Sequence, residues 1–279
     1  MNEALKPDAQ TEIDTFLRTV AEAQRSLLLL DYDGTLAPFR KNRAAAVPYP
    51  GVVPALQAII ENGRTRVVII SGRDARDVVR LLKIQPVPEV WGLHGSQRLK
   101  PGGSSVTLPL EERAMAALGV AGRWLDYQQL RHTAEPKTGS IAVHWRGLAN
   151  VEAEEIRSRV LMGWLPIAKG AGLSLLEFDG GVEVRATRFN KGDTVRVLVG
   201  EMKPGTPVAY LGDDNTDEPA FRTVDGSGLS VLVRQRSRRT AAKLWLKPPG
   251  EMLDFMDQWL AACRGQEALG REAAVARTG

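Results

Sequence analysis

The chain has 279 residues, 43% hydrophobic and 25% charged, with 37 Lys and Arg against 33 Asp and Glu; this is the composition of a globular protein of one large or two modest domains. So mild a charge balance argues against a nucleic-acid binder, and no apolar run approaches the roughly 20 residues of a membrane span. The one cysteine, Cys263, excludes an intrachain disulfide, and with a polar start that lacks a signal-peptide pattern it leads us to expect a cytoplasmic monomer without nucleic-acid or membrane partners.

Asp8 to Ala23 has the period of an amphipathic helix, with Ile13, Phe16, Leu17 and Val20 on one face. Leu27 to Leu30 is a fully apolar run that ends abruptly in Asp31-Tyr32-Asp33-Gly34-Thr35-Leu36. Such a run fits a strand buried on both faces of a parallel sheet. The carboxyl ends of such strands are where open α/β sheets place ligands. Ala37 to Pro50 is a proline-bearing loop, and Val52 to Asn62 a helix stopped by Gly63. Arg66 to Arg73 is a second buried strand that ends in Ser71 and Gly72, followed by a helix from about Asp74 to Leu82. Glu89 to His94 is a third strand, closed by Gly95.

Lys100 to Ser105 has the composition of a linker. Beyond it come a helix from about Leu110 to Tyr127, a strand from Ser140 to Trp145 and a helix from about Val151 to Trp164. Two strands, Leu173 to Phe178 and Val182 to Arg185, are joined by the hairpin signal Asp179-Gly180-Gly181. From Lys191 the first pattern resumes: a helix to Gly200, a strand from Pro207 to Gly212, a strand from Gly228 to Val233 and a helix from Pro249 to Cys263. A frayed tail is expected from Arg264. The fold class expected is α/β: a doubly wound parallel sheet over residues 1–101 and 187–279, interrupted by an α+β cap over residues 102–186.

Four polar clusters stand at the ends of core strands or beside them: Asp31/Asp33, Ser71, Lys191 and Asp213/Asp214/Asp217. In a parallel sheet these ends share one edge, so residues far apart in sequence converge. Paired acids there are costly unless a cation lies between them. A phosphate dianion repels a carboxylate nucleophile, and a hard divalent cation on oxygen ligands, most simply Mg²⁺, removes that repulsion. The expected metal set is Asp31 and Asp213, with the backbone carbonyl of Asp33 and with Asp214; Asp214 or Asp217 acts through water or holds Lys191. Asp31 would be the nucleophile and Asp33 the acid and base. Thr35, Ser71, Gly72, Arg73 and Lys191 would hold the phosphate, the helix after Ser71 favouring an anion. Taken singly, each cluster has a plainer reading as a turn, a helix cap or a solvated loop.

Together the clusters resemble the haloacid dehalogenase superfamily of phosphatases. The Asp-x-Asp-Gly-Thr run at Asp31, Ser71, Lys191 and the Gly-Asp-Asp at Gly212 all match. A finer resemblance is to trehalose-6-phosphate phosphatases, carried by Leu211 to Glu218, Ser71-Gly72-Arg73, Leu93-His94-Gly95, Glu135-Pro136-Lys137, His144-Trp145-Arg146 and Glu183-Val184-Arg185. The resemblance implies that the insert closes over the sugar, with Lys137 and Glu183 on its hydroxyls and His144, Arg146 and Arg185 as further contacts. Trp145 stands where the family commonly has Tyr, and Ala186 where it commonly has Pro; the Asn of some members near Gly181 is missing. The function implied is Mg²⁺-dependent hydrolysis of trehalose 6-phosphate, a small sugar phosphate. The rivals are another sugar phosphate of glucosylglycerol or mannosylglycerate type, a phosphomutase, and a non-catalytic sugar-phosphate binding module.

Overall fold

A computed structural model describes residues 8–40, 42–137, 139–186, 190–226 and 228–275. Its central strand is β1 (Ser26–Leu30), buried at every position. Leu28 and Leu30 pack with Leu56, Ile59, Phe255 and Trp259 on one side of the sheet. Leu27 and Leu29 pack with Val195, Leu198, Phe221 and Val224 on the other. With a core on each face, Leu27 to Leu30 have no solvent side, which explains the uninterrupted leucines; Ser26 at the strand start is buried against the Thr65 hydroxyl at 2.9 Å.

Helix α1 (Asp8–Glu22) precedes this strand, and α2 (Val52–Asn62), β2 (Thr65–Ile70), α3 (Ala75–Leu82) and β3 (Glu89–Gly92) follow it. Then come β4 (Gln97–Leu99) and β5 (Ser105–Thr107), which add antiparallel to the sheet edge. Lys100 to Ser105, expected as a linker, is therefore the turn of a core hairpin, closed by Lys100 N–H donating to the Ser104 carbonyl. Its glycines serve a reversal and not a free tether, and the boundary expected at 101/102 falls inside the core sheet.

The insert holds α4 (Glu112–Tyr127), β6 (Ala134–Lys137), β7 (Ser140–His144), α5 (Asn150–Ala168), β8 (Leu173–Phe178) and β9 (Gly181–Ala186). Its antiparallel sheet runs in the order β6-β7-β9-β8. The two helices cover one face through Ala121, Leu125, Val160 and Trp164, which pack on Ile141, Val143, Val182 and Val184. The alternate residues, among them Ser140, Ala142, His144, Glu183 and Arg185, face the other way. β6 was not anticipated, because Pro136 masks it; Lys137 lies on a strand and not in a loop.

The chain then returns to the core with α6 (Lys191–Gly200), β10 (Val208–Gly212), α7 (Glu218–Val224), β11 (Leu229–Val233), β12 (Leu244–Leu246) and α8 (Gly250–Val275). The core sheet runs β12-β11-β10-β1-β2-β3-β4-β5, parallel from β12 to β3. Helix α8 continues well past Arg264, where fraying was expected; Ala, Glu, Gln, Leu and Arg have high helix propensity and outnumber Gly265 and Gly270 there. Residues 276–279 lie outside the described residues. Among the described residues, no helix is long and apolar enough to cross a membrane.

Leu29→Ala should lower unfolding stability by about 3 kcal/mol, the usual cost of a cavity at a closed core site. Denaturant titration measures it, and a loss below about 1 kcal/mol would contradict the two-faced burial of β1.

Candidate active site

β1 and β10 are parallel neighbours in register, with Leu30 beside Leu211. The residues just beyond their ends, Asp31 and Asp213, therefore emerge side by side at the carboxyl edge of the sheet. Carboxylate oxygens of Asp31, Asp213 and Asp217 lie within 4.8 Å of one another, all three residues being buried. Gly34 adopts φ 88°, and a side chain there would collide with the Asp213 carboxylate. Only glycine allows both the turn and the close approach.

One ammonium ties the cluster together. Lys191, the first residue of α6, donates to Asp31 Oδ1 at 2.6 Å and to Asp217 Oδ1 at 2.7 Å. Asp217 Oδ1 also accepts from Tyr210 at 2.5 Å, and its Oδ2 accepts the backbone N–H of Asp213 and of Asp214, both at 3.0 Å. With both oxygens occupied, Asp217 acts as the holder of Lys191, a role the sequence left open between Asp214 and Asp217. Asp214 accepts from Asn215 N–H at 2.7 Å and from Asp179 N–H of the insert at 3.2 Å. Its carboxylate ties backbone segments together and stands outside the acid cluster.

The charge balance of this site calls for a cation. Burial pushes the Asp31 carboxyl up to about 7 despite the opposing pull of Lys191. Burial, reinforced by Asp31, Asp217 and Asp214, pushes Asp213 well above the usual carboxylate range. Lys191 loses to burial but is held well above the ordinary lysine value by Asp217 and Asp31. Three acids against one ammonium is a donor set of hard oxygens that a divalent ion fits. Asp31 and Asp213 are the carboxylates with capacity to hold one.

Asp33 is treated differently. Arg73 clamps it in a fork, Nε to Oδ2 at 2.7 Å and Nη2 to Oδ1 at 2.5 Å, while Arg73 Nη1 donates to the Arg43 carbonyl at 2.8 Å. Arg73, expected on the phosphate, is thus committed to Asp33, and the Asp33 carboxylate lies outside the acid cluster. Ser71 Oγ accepts the Arg73 N–H at 3.1 Å, and Thr35 Oγ1 donates to Asp31 Oδ2 at 3.2 Å. Both residues are buried beneath the site, and neither lines the cavity above it. Gly72 does line it.

That cavity, of about 680 Å³, lies between the core edge and the polar face of the inserted sheet. Asp31, Asp33, Lys191, Asp213 and Asp214 form its floor, and Lys137, His144, Arg146 and Glu183 its roof. Glu183 Oε1 accepts from Lys137 Nζ at 3.1 Å and Ser140 Oγ at 2.7 Å. Glu135 accepts from Arg43 Nη1 at 2.5 Å and pairs with His144 Nε2 at 2.9 Å, so a core arginine meets a carboxylate of the insert. The guanidinium of Arg146 lies 4.4 Å over the Phe39 ring. Arg185 does not join this wall: it is buried away from the cavity, and its Nε and Nη1 make no hydrogen bond.

Arg43, Phe39 and His94 line the cavity without having been anticipated. Arg43 opens a single 3-10 turn, Arg43–Ala45, and Phe39 lies just beyond the acid turn, where no periodicity marks them. His94 was noted only within Leu93-His94-Gly95.

The chain matches the family model described as trehalose-phosphatase over residues 29–249. It is 30% identical over 279 residues to an uncharacterized glycosyl hydrolase of Mycobacterium tuberculosis, covering 94% of this chain and 20% of that protein. It is 30% identical over 249 residues to a trehalose-phosphate phosphatase of Mycobacterium marinum, covering 83% of this chain and 60% of that one. The chain thus spans about a fifth and three fifths of these two relatives. The structure resembles the C-terminal domain of Candida albicans trehalose-6-phosphate phosphatase with a TM-score of 0.78 at 22% identity, covering 89% of this chain and 96% of that one. That likeness shows a shared fold.

Burial holds the His94 ring down to about 4, outweighing the pull of Glu183. Between its ordinary value of 6.5 and 4, the unfolded chain takes up a proton that the folded chain refuses, so this residue costs stability as pH falls through that window. His94→Gln should therefore lose less stability than wild type from pH 6.5 to 4, other titrating groups cancelling in the difference. Calorimetry on both proteins measures it, and parallel stability curves would contradict the burial of the neutral ring.

Proposed function

Because the chain belongs to the trehalose-phosphatase family, we propose that it is a Mg²⁺-dependent phosphatase that releases phosphate from trehalose 6-phosphate through an aspartyl-phosphate. The observation that carries this reading is Asp31, held by Lys191 at the floor of a cavity roofed by polar side chains of the insert. Two carboxylates beside a phosphate hinder simple binding; they serve a nucleophile and a proton carrier.

An Asp31 oxygen attacks phosphorus in line as the bond to the sugar oxygen breaks, and Asp33 gives its proton to that oxygen. Asp33 then takes a proton from water, whose oxygen attacks phosphorus and frees Asp31 and inorganic phosphate. Arg73 keeps Asp33 oriented through both steps. Lys191 offsets charge at Asp31, and the backbone at Gly72 lies beside the phosphate. Asp31 and Asp213 would hold Mg²⁺, which when bound neutralises the repulsion between nucleophile and phosphate dianion. On the roof, Lys137 and Glu183 offer a donor and an acceptor to sugar hydroxyls, with His144 and Arg146 beside them. The insert excludes water when it covers the substrate. The buried Cys263 suits a reducing compartment, in keeping with the cytoplasm.

A second reading keeps the chemistry and changes the sugar, to a glucosylglycerol- or mannosylglycerate-type phosphate. Trp145 and Ala186 depart from the family pattern next to Arg146 and Arg185 in sequence, and both pack against the apolar core that backs the roof.

Phosphate release across a panel of sugar phosphates, with Mg²⁺ and with a chelator, tests both readings. Trehalose 6-phosphate should show the highest kcat/KM, with activity lost on chelation and restored by Mg²⁺. No phosphate from any sugar phosphate would overturn the reaction class, and a better substrate would replace trehalose 6-phosphate. Asp31→Asn should cut kcat by about 10³-fold or more with the fold retained; retained turnover would exclude Asp31 as nucleophile.

A further inference from the structure

Core and insert meet through a few side-chain pairs, and one differs in kind. Arg43 with Glu135 and Arg234 with Asp179 are between 27% and 52% exposed, whereas His94 and Glu183 are 11% and 3% exposed. His94 Nε2 lies 2.9 Å from Glu183 Oε2. His94 comes from the core, while the other groups on Glu183, Lys137 and Ser140, come from the insert.

The backbone is shaped to put the ring there. Leu93 and His94 both take left-handed conformations, φ 51° and 56°, which are costly for residues with side chains. His94 N–H donates to the Ser71 carbonyl at 3.0 Å. The ring lies on Gly72, where a Cβ would come within 2.6 Å of it. Both ring nitrogens are sealed from solvent and make no hydrogen bond of good geometry. The ring's one close polar neighbour on the far side is Glu183.

We infer that His94 is a positioning residue that sets where the insert comes to rest: seated on Gly72, its ring engages Glu183 and so couples the phosphate loop to the wall that reads the sugar. The link to the sugar rests on the phosphatase reading above; the seating of the insert does not. With the ring gone, Glu183 loses its core partner among these contacts, and the insert keeps the half-exposed pairs Arg43–Glu135 and Arg234–Asp179, the Asp179 N–H on Asp214 and the Arg146–Phe39 stack.

His94→Asn is the informative variant, because Asn tolerates the left-handed backbone but is too short to reach Glu183. His94→Gln restores length and an amide donor. In Asn, KM for trehalose 6-phosphate should rise about tenfold while kcat stays within about threefold, the loss of one close polar contact that positions the sugar wall. Gln should lie between Asn and wild type. Without substrate, spin labels on Met162→Cys and Arg80→Cys report the separation of insert and core, the native Cys263 being buried. That distance distribution should broaden in Asn and narrow again in Gln. Wild-type KM with an unchanged distribution in Asn, a fall in kcat at unchanged KM, or a Gln variant indistinguishable from Asn would each overturn the inference. A wild type inactive on trehalose 6-phosphate would sink the functional reading, while the label distances would still decide the role of His94.

Discussion

The ammonium of Lys191 is the constraint on which the rest depends. It is buried between Asp31 and Asp217, with Asp213 alongside. Buried ion pairs are poor sources of stability, because desolvation offsets much of the attraction. Here they serve to hold a reactive arrangement. The helix that carries Lys191 begins with it, although a cation at a helix start opposes the helix dipole. Asn190 and Asp193 offset that conflict by capping the exposed N–H groups of the same turn. A local preference is overridden where the site requires it, which is where such conflicts are expected.

Much of the core was legible because its physics is local. The unbroken leucines of β1 announce a strand without a solvent face. The stop at Gly63 and the helix from Lys191 to Gly200 follow from capping and periodicity. Parallel order then brings Asp31 and Asp213 to one edge without further information. The division of labour among the acids was not legible. Asp214 and Asp217 are alike in sequence, and only the turn that aims Asp217 at two backbone N–H groups separates them. Arg73 follows Ser71-Gly72 and invites a phosphate role; its actual partner, Asp33, lies 40 residues away. Short elements also escaped notice. β6 contains a proline, and β4 and β5 flank a glycine pair that reads as a tether. In each case a contact distant in sequence decides what local composition cannot.

The insert shows how one sheet serves two purposes. Alternation along β7 and β9 sends Val143, Val182 and Val184 to the helices and Ser140, Glu183 and Arg185 to the opposite face. The apolar half makes the insert a rigid body. The polar half is thereby fixed as a pattern of donors and acceptors over the core. Antiparallel pairing places Ala142 between Glu135 and Glu183, a small residue separating two carboxylates that would repel each other more strongly if adjacent.

The hairpin of β4 and β5 has a wider meaning for how this architecture can change. The core sheet completes its own edge before the chain leaves it, and the strands after the insert return to the opposite half of the sheet. The insert is therefore a cassette: its replacement would break no strand pairing of the core. The return crossing sets the limit of that freedom. Only residues 187–190 separate the last strand of the insert from Lys191, and the five Cα steps from Ala186 to Lys191 span at most about 18 Å. A new roof could differ in every side chain it presents to the cavity, yet its exit would still have to arrive within that reach of the Lys191 backbone. The lining of the roof is free to drift while the buried charges beneath it are held in register.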